Sequence, residues 1–170
     1  MINKIYSDIK YINIVKDILE HEEFLKLKKI GHHNHDRFTH SLLVSYYAYL
    51  KALDKGLDVK AVARGALLHD FFFDETHKMK IADRKTSLKH HPEDAYSNAL
   101  KYFELNRVEK DIIVNHMYPI SGKRPKYKES RLVCMIDKTV SRREVFDQYF
   151  YRWKPVFTMF IIFLNLSQGI

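Results

Sequence analysis

Apolar residues recur along this chain at helical spacing, and no segment alternates convincingly with the two-residue period of a strand. From Ile2 to Ile30 the pattern is helical, with a break near His21. Asp36 is placed to cap a helix running to about Leu53, with Phe38, Leu42, Tyr46, Tyr49 and Leu53 on one stripe, and the Lys55-Gly56 region ends it. Asp58 is placed to cap a second helix with Ala61, Val62, Gly65, Ala66 and Leu68 inside, where small residues permit close helix–helix approach. The stretch from Asp74 to His90 is polar and reads as a loop, long for a compact domain and of the kind that is often functional. His91-Pro92-Glu93-Asp94 has the chemistry of a helix start, with proline at the first helical position and acids in the first turn. That helix is expected to reach about Phe103, and another to run from about Val108 to Met117. Pro119 to Lys128 reads as a basic loop, followed by a helix from about Glu129 to Arg143 and a last one to about Leu166. The expectation is an all-α, compact single domain over residues 1–170, a bundle of about 6–8 helices.

Composition agrees with this picture. Only five glycines and four prolines punctuate 170 residues, and 46% of positions are apolar, so a packed core rather than disorder is expected. The single cysteine, Cys134, allows neither an internal disulfide nor a thiolate zinc cluster and suits a reducing cytoplasm, the expected location. Lys4, Asp8 and Lys10 interrupt the first apolar residues, so no signal peptide is read. The apolar run Val156 to Leu166 is too short to span a membrane and reads as part of a C-terminal apolar helix over residues 146–168. Trp153, Val156, Phe157, Phe160 and Phe163 form its apolar face, expected to pack on the core and otherwise available as a homodimer interface. The net charge of +8 attracts anions without choosing among nucleotides, nucleic acid and membrane surfaces.

The sharpest chemical feature is His69-Asp70 at the end of an apolar helix, where an imidazole and a carboxylate can reach one cation. His40 lies near Val44 and Tyr47 on its helix and faces protein rather than water. Asp137 sits among Val133, Ile136 and Val140 at helical spacing, an expensive place for a carboxylate unless it is paired or metal-bound. Arg37 is the salt-bridge partner that would explain Asp137 structurally. His116 continues a stripe of Leu105, Val108 and Ile112, and His91 opens a helix from which it can project into a cleft. Each residue alone has a bland explanation, but four histidines and two aspartates in one ordered set are hard to dismiss together.

These residues carry a resemblance. The runs Arg37-Phe38-Thr39-His40-Ser41, Leu67-Leu68-His69-Asp70, His91-Pro92, His116 and Ile136-Asp137-Lys138 resemble the HD superfamily of metal-dependent phosphohydrolases, over a motif-bearing core of residues 31–145. His40, His69, Asp70 and Asp137 match the superfamily's core metal ligands, and His91 and His116 match the two further histidines of the subgroup that holds a second metal. Tyr118-Pro119 and Pro125-Lys126-Tyr127-Lys128-Glu129-Ser130 are similar to runs in a group of small predicted bacterial HD hydrolases. The chain departs from some HD enzymes after the His-Asp pair: where they carry a lysine or glutamate, Phe71, Phe72 and Phe73 follow, and Asp74 and Glu75 are the first polar residues. His32, His33 and His35 read as loop residues.

The resemblance implies hydrolysis of a phosphate ester or anhydride, of a nucleotide, by metal-activated water at a mono- or dinuclear His/Asp site. Asp70 is then the catalytic, bridging carboxylate, and the ions are divalent transition metals, two in number, Fe or Mn first and Co, Ni or Zn next. Arg37, also assigned a catalytic role, and Lys123, Arg124, Lys126 and Lys128 are the cations expected to meet the phosphate. The alternatives are a di-iron HD-type oxygenase and a non-catalytic module binding nucleotides or nucleic acid. Nucleic acid is not the expected partner.

Overall fold

The computed structural model describes residues 2–32, 35–74 and 80–167, without the side chains of residues 32, 35, 81, 84, 85, 148 and 151–167. Helices α1 (Ile2–Ser7), α2 (Ile9–Leu19) and α3 (Glu22–Leu25) lead into a 3-10 turn, Lys26–Lys29. A two-residue antiparallel pair follows, β1 (Gly31–His32) with β2 (His35–Asp36). The remainder is α4 (Arg37–Lys55), α5 (Val59–Leu68), α6 (Ile81–Tyr102), α7 (Arg107–Asn115) and α8 (Lys128–Ser167). The expected all-α class holds, the β1–β2 pair being too short to show any alternating pattern in sequence.

The caps read from sequence are in place. Asp36 accepts from the Thr39 N–H at 2.8 Å and Asp58 from the Ala61 N–H at 2.9 Å, each relieving an orphan donor of a first turn. Gly56 closes α4 in the left-handed region at φ +62°, which glycine enters without a Cβ penalty. His21 marks the expected break in the N-terminal segment by capping α3, and Asp8 makes a second break by accepting from the Tyr11 N–H. Asn106 and Glu109 form a reciprocal capping box at the start of α7.

Two apolar clusters lie on either side of α4 and α5. Phe38, Leu42, Tyr46 and Tyr49 of α4 join Leu67 and Leu68 of α5, the α2 residues Tyr11, Val15 and Ile18, and Phe24 and Phe71. Val44, Ala48 and Ala52 of α4 with Val62 and Ala66 of α5 join Ile112 of α7 and Leu132, Val133 and Val140 of α8. Leu53, the last member of the expected α4 stripe, is exposed. The small residues of α5 work as read from sequence: Gly65 lies against Ile112 and Glu109 of α7.

Two element boundaries differ from expectation. The run Asp74 to His90 is not all loop, because α6 begins at Ile81 and continues through His91 and Pro92. Ser87, His91, Ala95, Ala99 and Phe103 are buried at four-residue intervals, so the helix turns a narrow stripe inward and exposes Asp83, Thr86, Lys89 and His90. The polar run looks like a loop because, among its described helical side chains, Ser87 is the buried one and no apolar stripe shows before His91. Pro92 supplies no N–H to the Leu88 carbonyl, a loss that the packed helix tolerates. Likewise α8 does not end near Arg143 but continues unbroken to Ser167. No glycine or proline lies between Lys128 and Lys154, and Arg142-Arg143 occupy the exposed face instead of a boundary. The stripe of Trp153, Val156, Phe157, Phe160 and Phe163 belongs to this helix, and the packing of its side chains lies outside the described residues. No described helix is long and apolar enough to cross a membrane.

The α5–α7 contact gives a direct test. A Cβ on Gly65 would meet Ile112 Cδ1 at 2.9 Å and the Glu109 Cα at 3.2 Å, and main chain cannot swing away. Gly65→Ala is expected to destabilise the chain by about 1–3 kcal/mol despite its better helix propensity, read as a lower urea midpoint.

Candidate metal centre

All six sequence-derived His and Asp candidates are buried and converge where the two apolar clusters meet. His40 comes from the first turn of α4, held by the Asp36 cap one turn earlier. His69 is the C-cap of α5 and Asp70 follows it in a tight turn, with the Phe71 N–H on Leu68 O and the Phe72 N–H on Asp70 O. Phe71 is fully buried against Phe24 and Phe103, which anchors that turn in the core. His116 is the C-cap of α7, and Asp137 lies in the first half of α8. His91 stands in the body of α6 and not at its start, the correction that follows from the longer helix.

The hydrogen bonds decide which nitrogen faces inward. His69 donates from Nδ1 to Ala66 O at 2.7 Å, and His116 donates from Nδ1 to Ile113 O at 2.8 Å. A carbonyl can only accept, so each Nδ1 carries the proton and each Nε2 is the nitrogen turned towards the carboxylates. His69 Nε2 has no hydrogen-bond partner among the described residues and lies 3.6 Å from Asp137 Oδ1 and 3.8 Å from Asp70 Oδ2. His40 donates from Nε2 to Asp137 Oδ1 at 3.2 Å and from Nδ1 to Glu144 at 3.0 and 3.1 Å. On the other side, Asp70 Oδ1 is 3.3 Å from His91 Nε2 and 3.6 Å from His116 Nε2, and those two nitrogens are 2.9 Å apart. Asp70 therefore faces His69 with Oδ2 and His91 and His116 with Oδ1.

Protonation follows from these contacts. Burial pulls the His40 imidazolium down, but its bonds to Asp137 and Glu144 prevail and push its pKa up to about 10. His69 is shifted up as well, burial being outweighed by Asp70 and Asp137. His116 is pushed down to about 3 by burial and by the neighbouring His69 and His91. Burial alone would raise the Asp70 and Asp137 carboxyls, yet the surrounding imidazoles hold both well below the usual carboxylate range.

This donor set fits a divalent ion. One ligand atom each from His40, His69 and Asp137 lies within 4.8 Å of the others, and so does one each from His69, Asp70 and His116. A buried imidazole nitrogen without a partner, and two Nε2 atoms facing each other, are arrangements that a cation between them would satisfy.

The centre opens into a cavity of about 360 Å³ lined by all these ligand candidates except His69. Phe72, Leu88, Met117 and Ile120 supply its apolar wall, and Arg37, Lys138 and Arg142 its cations. Arg37 is fully buried, donating to Phe72 O at 2.6 Å and Asp74 O at 2.9 Å, with its guanidinium 3.6 Å above the Phe72 ring. The expected alternative, an Arg37–Asp137 ion pair, is not made among the described residues. Phe72 stacks on His91 at 4.7 Å, so one of the phenylalanines in the place of a polar residue serves as a spacer between Arg37 and His91.

The basic loop is placed elsewhere. Lys123, Arg124, Lys126 and Lys128 are exposed and do not line this cavity, and Lys123 and Lys126 line a separate one with Arg107, Lys110 and Tyr127. The cause is main-chain anchoring on α7: the Lys123 N–H donates to Asn115, and the Lys126 and Tyr127 N–H groups to Asp111. Lys138, which sequence spacing points away from the site, does line the cavity, and its ammonium donates to Tyr118 O and lies 3.2 Å from Cys134 Sγ. Cys134 itself is not part of the lining. Asp74 accepts from Ser87 and lies outside the cavity. Glu75, His33 and the side chains of His32 and His35 lie outside the described residues. Glu144 is absent from the expected set because it lies just beyond the helix end expected at Arg143, although its spacing of seven residues from Asp137 is a legible helical signal.

Residues 37–141 match the family model of the HD domain. That span is more than half of the chain, and the chain belongs to the HD domain family, a domain of the metal-dependent phosphohydrolase type. No curated protein matches the chain, and no solved structure does.

The protonation pattern predicts a stability profile for the ion-free chain. A raised His40 pKa contributes stability fully present below 6.5 and lost as pH rises towards about 10. A lowered His116 pKa acts oppositely, costing stability as pH falls from 6.5 towards about 3. The urea midpoint in excess chelator is expected to peak near neutrality and fall on both sides. A midpoint constant from pH 6.5 to 10 would contradict the His40 assignment.

Proposed function

We propose that this chain is a metal-dependent phosphohydrolase that cleaves a phosphate ester or anhydride bond of a small phosphorylated substrate, a nucleotide. The observation that carries the reading is Asp70, whose Oδ2 faces His69 and whose Oδ1 faces His91 and His116, beside a cavity open to a ligand. His40, His69 and Asp137 would hold one ion, His91 and His116 a second, and Asp70 would be shared. The ligand chemistry suits Fe or Mn, then Co, Ni or Zn. Such ions supply Lewis acidity and an acidified water near neutral pH.

The chain's own residues do the rest. The Nδ1–H bonds to Ala66 O and Ile113 O fix the orientation of His69 and His116 with Nε2 inward, the nitrogen each would offer an ion. Phe72, Leu88, Met117 and Ile120 form a wall that excludes water from one side of the cavity and accepts the apolar part of a substrate. Arg37 is held rigid by two carbonyls and by Phe72, so its charge stands ready for a phosphoryl oxygen without reorganisation. Lys138 and Arg142 add positive charge at the cavity, the role assigned from sequence to Lys123, Arg124, Lys126 and Lys128.

The test is elemental analysis of the purified chain with a phosphatase screen over added Mn, Fe, Co, Ni and Mg. About two transition metals per chain are expected. His69→Ala and Asp70→Ala should each lose metal and turnover together while remaining helical by circular dichroism. Metal without phosphatase activity would turn the assignment towards oxygen chemistry, and no metal under any loading condition would end it.

A further inference from the structure

Glu144 is a buried carboxylate with no part in the ligand set described above. It lies on α8 seven residues after Asp137, two helical turns further along the same face. His40 sits between them: Asp137 takes its Nε2 at 3.2 Å, and both Glu144 oxygens lie within 3.1 Å of its Nδ1. One helix thus holds both nitrogens of a single ring. Asp137 belongs to the triangle with His69, so Nε2 is the nitrogen that faces the ion site and Nδ1 is the one turned away.

The other histidines explain why His40 needs this help. His69 and His116 are C-caps, and each donates Nδ1–H to the carbonyl three residues back, which a helix end leaves open. His40 is in the first turn of a 19-residue helix, where the nearby carbonyls are engaged in the helical ladder. An acceptor for its Nδ1 has to come from another element, and α8 provides a charged one.

We propose that Glu144 is a positioning residue that locks His40 with its proton on Nδ1 and its Nε2 presented to the ion, and so sets the affinity of the centre for a divalent cation. The proposal rests on the metal-dependent reading above. A carboxylate behind the ring also makes His40 a more basic ligand than the two histidines backed by neutral carbonyls. A purely structural Glu144 would stabilise the fold without changing what the centre binds.

The experiment compares the full chain with Glu144→Gln, which keeps an acceptor but no charge, and Glu144→Leu, which keeps bulk but no acceptor. Mn(II) affinity is measured by chelator competition, and the ring nitrogens are followed by 15N NMR. Glu144→Leu is expected to weaken Mn(II) binding by about 10–100-fold and to lose the fixed His40 Nδ1–H signal, with Glu144→Gln in between. If Glu144→Leu does not fold, Glu144→Gln carries the test alone, with a smaller loss expected. Unchanged affinity in a folded variant while the parent chain binds Mn(II) overturns the role of Glu144 only. A parent chain that binds none of Mn, Fe, Co, Ni or Zn overturns the metal reading and this proposal together.

Discussion

Two carboxylates, Asp70 and Asp137, are buried between apolar clusters, and neither could stay ionised there unaided. The effective penalty for removing such a charge from water is several kcal/mol, on the order that a whole domain has to spare. Imidazoles from α4, α5, α6 and α7 surround them and hold both below the usual carboxylate range. The arrangement of the bundle around α5 follows from bringing those rings to one point.

The apolar packing serves that end. α4 and α5 each contribute to both clusters, so His40 and His69 are set at the seam between them. Gly65 lets α7 come close enough to α5 for His116 to reach Asp70. Phe71 anchors the turn that carries His69 and Asp70, while Phe72 spaces Arg37 from His91. The candidate ligands are thereby held on or beside helix ends and helix faces rather than on long loops.

Much of this was legible along the chain. The caps at Asp36 and Asp58 and the stop at Gly56 are local hydrogen-bond and backbone effects, and they read correctly. His40, His69, Asp70, His116 and Asp137 stood out because a polar residue on an apolar stripe is costly wherever the helix goes. The start of α6 is not legible, because in the polar run before His91 the buried described side chain is Ser87, too little apolar contrast to mark a helix face. The helix after Asp137 runs past the expected end at Arg143, because no glycine or proline interrupts it there and both arginines lie on its exposed face. Glu144 was lost with that boundary.

The sequence by itself determined the helical class, most helix boundaries, the ordered His/Asp set and the family those residues resemble. These depend on spacing of a few residues, which the geometry of a helix converts directly into a face. Only the tertiary structure decided which cations line the cavity. The basic loop carries Lys123, Arg124 and Lys126, with Lys128 opening α8, but Asp111 and Asn115 hold the loop's main chain against α7, so that Lys123 and Lys126 line a different cavity. Lys138 and Arg142 line the centre's own cavity, because α8 brings them beside Asp137 and past the end of α7. Side-chain charge is written in the sequence, whereas its direction depends on contacts between residues far apart in the chain.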